Sequence, residues 1–241
     1  RREVVDWVVS LSWVGSTPNR EALDSIGNYY LRASDYGPWS DNPGQGGGRS
    51  GNQHLSCRRS FAILATDGEW TAIPESPPVP PAQPLIQNRA PDPVGAGNGT
   101  VTASLASSGP AIQGAGLYAN TTYSYDPAVE VQYSTGNGGV TGTLTDVALY
   151  WWNRDLRSGV PNAVQKRTNR PDDSFWQNMT TFVVGYGLNA SMDTAAVRQQ
   201  ISQAQAVNWP VVDVSPAVIT GGDRVNDTMR AALSTRGDFY S

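Results

Sequence analysis

Residues 61–68, Phe61-Ala62-Ile63-Leu64-Ala65-Thr66-Asp67-Gly68, decide how the chain is read. FAILA at 61–65 is a short apolar run without polar interruption. It predicts a strand buried on both faces, central in a parallel sheet. Thr66-Asp67-Gly68 then ends that strand in a turn carrying a carboxylate. A second such run, TTFVVGYGL, occupies residues 180–188. Between and around these runs the apolar residues recur at helical spacing. Thr17 followed by Pro18 is a helix start, with a hydroxyl cap and Pro at the first helical position, and Leu23, Ile26 and Tyr30 then share one face. A second helix is predicted over 143–157, where Leu144, Ala148, Trp151 and Leu156 line up, and a third over 193–205. A fourth opens at Asp223 as cap and closes at Gly237, and a short helical face covers residues 3–11. Helices alternating with apolar strands define an α/β fold with a mostly parallel sheet.

Working outward, residues 34–56 are a Gly/Asn/Ser-rich loop, and residues 70–142 form a large insertion. The insertion opens with a Pro-rich extended stretch, IPESPPVPPAQP, and continues with Thr, Tyr and Val between glycines, a pattern that can hold small hairpins. Two strong strands are too few for a doubly wound sheet, so the chain reads as one incomplete domain, 1–241.

Composition narrows the functions. The 241 residues carry 17 basic and 21 acidic side chains, a net charge of −4, without a Lys/Arg cluster, which argues against a nucleic-acid partner. No apolar run is long enough to span a membrane. One cysteine, Cys57, and one histidine, His54, exclude an internal disulfide framework and a Cys/His zinc site. No signal peptide opens the chain, which fits either a cytoplasmic protein or a piece of a longer exported one.

Ligands of open α/β sheets bind beyond the carboxyl ends of the strands. Asp67 stands at such an end, and Gly15-Ser16-Thr17-Pro18 is a second loop leading into a helix N-terminus. Asp67, Thr17 and Ser16 are all oxygen donors, suited to Mg²⁺, Mn²⁺ or Ca²⁺. Spacing alone equally allows Thr17 and Ser16 to cap a helix while Asp67 terminates a strand.

SLSWVGSTPNREAL followed by FAILATDG resembles the second and third metal loops of von Willebrand factor A domains, Rossmann-like domains with a metal-ion-dependent adhesion site. Thr17 and Asp67 match the family's Thr and Asp, whereas its Asp-x-Ser-x-Ser loop is absent from the 241 residues. The resemblance therefore implies that the domain's first strand and first metal loop lie upstream. Four ordered segments, CRRSFAILATDGEW (57–70), TLTDVALYWWNRDLR (143–157), FWQNMTTFVVGYGL (175–188) and DRVNDTMRAALSTRGDFYS (223–241), are similar to signatures of the PilC/PilY family of type IV pilus tip-associated proteins. The similarity implies a non-enzymatic adhesion and assembly module, exported to the cell surface or the periplasm and outer membrane. It further implies minor pilins and a host or surface receptor as partners, and a divalent cation coordinated at Thr17 and Asp67. Because the Asp-x-Ser-x-Ser loop is missing, feeble metal binding is expected of this chain alone.

Other residues carry competing readings. His54-x-x-Cys57 has zinc-like spacing but supplies only two ligands. A Cys–His nucleophile lacks an evident orienting partner, and Cys57 is better read as pairing with a cysteine upstream of residue 1. A secreted hydrolase is the alternative of a different class; it needs His54 or Asp67 beside a nucleophile, and no Gly-x-Ser-x-Gly elbow is present. A structural pilus-tip subunit with a degenerate metal site is the third reading. Arg154-Asp155 and Asp172-Asp173 read as solvated charges, and Trp39 and Trp70, both in loops, as exposed contacts for a partner.

Overall fold

The computed structural model describes residues 19–67, 111–124, 143–205, 207–210, 212 and 224–241. β1 (Phe61–Thr66), β4 (Thr180–Gly185) and β5 (Phe239–Tyr240) form a three-stranded sheet in the order β1-β4-β5. Both pairings are parallel: Phe61 stands opposite Thr180 and Thr66 opposite Gly185, while Val183 stands opposite Phe239. Parallel neighbours require long crossovers, here running through helices. Those helices are α1 (Asn19–Tyr30), α2 (Leu144–Trp152), α3 (Thr194–Ser202) and α4 (Arg224–Ser234). The result is an α/β arrangement compatible with a Rossmann-like fold.

The helices gather on one face of the sheet. Ala62 and Leu64 of β1 pack with Leu23 of α1, Leu144, Val147, Ala148 and Trp151 of α2, and Ala231 of α4. Val183 of β4 and Phe239 of β5 pack with Val197 and Ile201 of α3 and Met229 and Leu233 of α4. The opposite face corrects the expectation that FAILA is buried on both sides. Ile63 is 69% exposed, Phe61 and Tyr240 are also exposed, and among the described residues no helix covers them. The reason is layer placement: the described helices pack against Ala62, Leu64 and Val183, so the continuous apolar run lines a sheet that they cover on one face.

Residues 112–123 form a small hairpin, β2 (Ile112–Gln113) paired antiparallel with β3 (Thr122–Tyr123). Its Tyr123 stacks on Trp176 with centroids 4.2 Å apart and meets the edge of Trp152, joining the hairpin to a second aromatic cluster with Phe175. The predicted helix over 3–11, the Asp223 cap and the remainder of the insertion lie outside the described residues.

Capping and close approach set the helix positions. Thr143 and Asp146 form a reciprocal capping box at the start of α2. The same N-terminus receives a buried carboxylate from α4: Asp227 accepts from the Leu144 N–H at 2.9 Å and from the Thr145 hydroxyl at 2.6 Å. α2 ends at Trp152, earlier than the pattern predicts, yet Leu156 still packs into the core from the following loop. At the end of α4 the left-handed residue is Arg236 (φ +64°) and not the expected Gly237. Gly237 is needed for proximity instead, because a Cβ there would lie 1.8 Å from the Thr181 carbonyl oxygen of β4.

Two stability predictions follow from this packing. A Cβ at Gly27 would lie 2.1 Å from the Trp151 indole, whose N–H donates to Asp24 at 2.9 Å. Gly27→Ala is therefore expected to cost about 2–3 kcal/mol in urea unfolding; an unchanged midpoint would show that the α1–α2 contact yields freely. Burial pushes the Asp146 carboxyl up to about 6, the Thr143 N–H pulling against the rise and the Asp227 carboxylate adding to it. The folded chain thus keeps a proton that the unfolded chain releases near the ordinary value of about 3.9. Stability from this group is complete in acid and declines as pH rises from about 4 to about 6, by up to about 3 kcal/mol. Asp146→Asn should remove that slope, read as the wild-type-minus-variant difference in unfolding free energy across the range.

Candidate functional site

The carboxyl ends of β1 and β4 form one rim of the sheet. Thr66 closes β1, and its carbonyl accepts from the Tyr186 N–H at 2.8 Å, tying the turn after β1 to the turn after β4. α1 reaches the same rim. Asn19, its first residue, donates its side-chain amide to the Thr66 hydroxyl at 3.5 Å. The first residue of α1 and the last residue of β1 therefore meet, although they are 47 positions apart in sequence. The convergence has a simple cause, since the apolar face of α1 packs on the helix-facing side of β1.

Asp67 follows Thr66 directly and is solvent-exposed on this rim. Ser16, Thr17 and Trp70 lie outside the described residues. Asp193 stands beyond the carboxyl end of β4 and caps α3, accepting from the Ala196 N–H at 2.7 Å. Among the described residues, no group of three or more His, Cys, Asp or Glu side chains is placed to hold a metal ion. Among the described residues this rim offers the accessible Asp67 carboxylate beside a helix start, and further ligands would have to come from other segments.

Trp39 corrects the expectation of an exposed contact. Its side chain is fully buried, its indole N–H donates to the Tyr30 carbonyl at 2.6 Å, and its ring tilts against Tyr30 at 5.8 Å. Trp39 is buried despite its loop setting because the 34–56 loop folds back onto α1. Its glycines make that turn: Gly44, Gly46, Gly47 and Gly51 all adopt positive φ.

His54 belongs to the same loop core. It is buried, and its Nε2 meets the Ser34 carbonyl oxygen at 3.2 Å. The Ser34 hydroxyl has no hydrogen-bond partner, so histidine and serine do not form a base–nucleophile pair. Cys57 is exposed with a free thiol. The acidic pair Asp172-Asp173 is also corrected. Asp173 is buried and takes both Arg167 (2.7 Å) and Arg59 (3.1 Å), while Asp172 pairs with Arg170 and Arg236. Arg154 lies over the Tyr150 ring and is not a freely solvated charge. Charge runs read as solvated from sequence alone become paired once distant arginines fold beside them.

A parallel α/β sheet with a carboxylate at its strand-end rim defines the general class. Comparisons with known proteins sharpen it. The chain is 24% identical over 257 aligned positions to the type IV pilus biogenesis factor PilY1 of Pseudomonas aeruginosa strain PAK, covering 98% of this chain. The corresponding protein of strain UCBPP-PA14 is 25% identical over 259 positions, again covering 98%. In both cases the chain spans 18% of the relative's length. These full-chain similarities support the PilC/PilY resemblance. No family model matches the chain, and no solved structure matches it. No helix among the described residues is long and apolar enough to cross a membrane.

Burial holds the His54 imidazole below its ordinary value of 6.5, against the contrary pull of the Ser34 carbonyl. As the one histidine of the chain it is directly observable by proton NMR. Its titration midpoint should fall below 6.5; a midpoint at or above that value would place the ring in solvent.

Proposed function

We propose that this chain is a non-enzymatic binding module of a type IV pilus tip-associated protein, acting in pilus assembly and adhesion at the cell surface. The observation that carries the reading is the contact of Asn19 with Thr66, which brings the segment just after Thr17 to the strand end that bears Asp67. Full-chain similarity to PilY1 supplies the biological setting. The fold is read as a von Willebrand factor A-type domain with the 70–142 insertion. In that reading Thr17 coordinates a Mg²⁺, Mn²⁺ or Ca²⁺ ion directly or through water, with Ser16 as an accessory donor, and Asp67 accepts a hydrogen bond from a metal-bound water.

A hard cation held this way keeps a coordination position open. A partner carboxylate fills it, giving a directional, charge-assisted contact without turnover. Minor pilins and a surface receptor are the partners proposed. One hydroxyl and one carboxylate are too few oxygen ligands for tight binding, so the Asp-x-Ser-x-Ser loop of the intact domain must supply the rest.

Calorimetric titration of this 241-residue chain with Mg²⁺ or Mn²⁺ is expected to show binding weaker than about 10⁻⁴ M, the regime of sparsely liganded sites. Micromolar affinity would overturn the ligand count. In the full-length protein, Asp67→Ala should abolish pilus assembly or adhesion while leaving thermal stability within about 0.5 kcal/mol, since the side chain is exposed. Undiminished assembly would favour the structural-subunit reading instead.

A further inference from the structure

The opposite pole of the sheet carries a feature that the cation rim does not use. Arg59 lies two positions before β1 and Asp67 one position after it, so the two stand beyond opposite ends of a six-residue strand about 20 Å long. Beside Arg59 an open cavity of about 530 Å³ is lined by Cys57, Arg59, Gln165, Lys166, Arg167, Thr168 and Asn169. Apart from Cys57 the lining residues are polar or basic, their alkyl stems contributing apolar surface, and none of them is acidic.

The charge around this cavity is unbalanced. Arg59 and Arg167 both pair with the single buried carboxylate of Asp173, at 3.1 and 2.7 Å. Arg170 and Arg236 share Asp172 behind it, at 3.2 and 3.6 Å. Asp238 pairs with Arg198 at 2.5 Å and also acts electrostatically on Arg167. Lys166 adds a further cation, its ammonium donating to the Pro171 carbonyl at 2.8 Å. Among the described residues six cations, Arg198 included, thus meet three carboxylates, in a chain whose net charge is −4. Burial also lowers the Lys166 ammonium, Asp173 and Asp172 pulling the other way, so the charge sits where an added anion would relieve its desolvation.

The scaffold is rigid where it matters. Arg167 is fixed by a two-pronged contact to Asp173 and a bond to the Arg236 carbonyl at 2.6 Å. Arg59 reaches the Gln165 carbonyl as well as Asp173. Their positions are set before any ligand arrives, which lowers the ordering cost of binding. The mouth is wide, and the side chains of Gln165, Thr168 and Asn169 at its edge are exposed hydrogen-bonding groups. A broad open trough with spaced cations and apolar stems between them suits several carboxylates on an extended chain better than one compact ion, which needs a closed cradle of donors.

We propose that this cavity is a docking site for an acidic peptide segment of a partner protein, whose carboxylates are received by Lys166 in the field of Arg59 and Arg167. It stands independently of the cation rim, because it uses no residue of that rim.

Cys57 gives a local readout, since it is the one thiol of the chain and lines the cavity. Its thiolate attacks the neutral reagent 4,4′-dithiodipyridine, forming a mixed disulfide and releasing one pyridine thiolate. The probe is a short Glu-rich peptide added to the 241-residue chain, beside a Gln-rich peptide of equal length and inorganic phosphate. The Glu-rich peptide is expected to slow modification about 10-fold at low salt, with the protection fading near 0.5 M NaCl, roughly where the screening length drops to a few Å. The Gln-rich peptide should not protect. Lys166→Gln, which gives up one exposed bond to Pro171, should lose most of the protection while keeping the circular dichroism spectrum of the parent. Thr168→Glu, which places a carboxylate on the exposed edge, should weaken protection in the same way. Protection by phosphate equal to that by the peptide at matched concentration would overturn the peptide in favour of a simple oxyanion site. No protection, or protection that both variants retain, would overturn the site itself. Because no metal enters the assay, its failure leaves the cation reading untouched, and the reverse also holds.

Discussion

The parallel ladder between β1 and β4 is the constraint on which the rest of the described structure depends. Its six residue pairs join segments 119 positions apart, from Phe61↔Thr180 to Thr66↔Gly185. That register puts Ala62, Leu64, Thr181 and Val183 on the helix-facing side, because side chains alternate along a strand. A slip of one residue would turn Ile63 and Phe182 inward and expose Leu64 and Val183, undoing the contacts with α1, α2 and α4 together. The ladder also brings Tyr186 to Thr66 and so builds the rim where Asp67 stands. At its other end the same strand carries Arg59 to Asp173.

Polar groups hold the helical layer in place as much as apolar packing does. Asp227 joins α4 to the N-terminus of α2, and Asp24 holds the Trp151 indole between α1 and α2. Thr235, just past α4, accepts from the Thr181 N–H at 3.0 Å and so locks the helix end to the central strand. Each bond satisfies a group that burial would otherwise leave costly. Buried polar contacts of this kind fix relative positions more sharply than apolar contact alone, since they tolerate little displacement.

The two poles of the sheet differ in character. The carboxyl-end rim offers an accessible carboxylate, Asp67, beside the start of α1. The amino-end pole offers a surplus of arginine and lysine around an open trough. A binding module that grips one partner through a metal-bridged carboxylate and another through direct salt links would separate the two by ionic dependence, the first sensitive to chelation and the second to salt.

Sequence alone determined much of the element plan. Leu23, Ile26 and Tyr30 declared the core face of α1 by their spacing, and TTFVV declared β4 by its apolar continuity, because both patterns are local consequences of backbone period. The Asp67 turn and the alternation of helix and strand were legible for the same reason. What only the tertiary structure decided depends on partners distant in sequence. FAILA is covered on one face and open on the other, Trp39 is buried under Tyr30 despite its loop setting, and Asp173 is claimed by Arg59 from more than a hundred positions away. No local pattern encodes those meetings, since a residue's exposure and pairing are set by which remote segment folds across it.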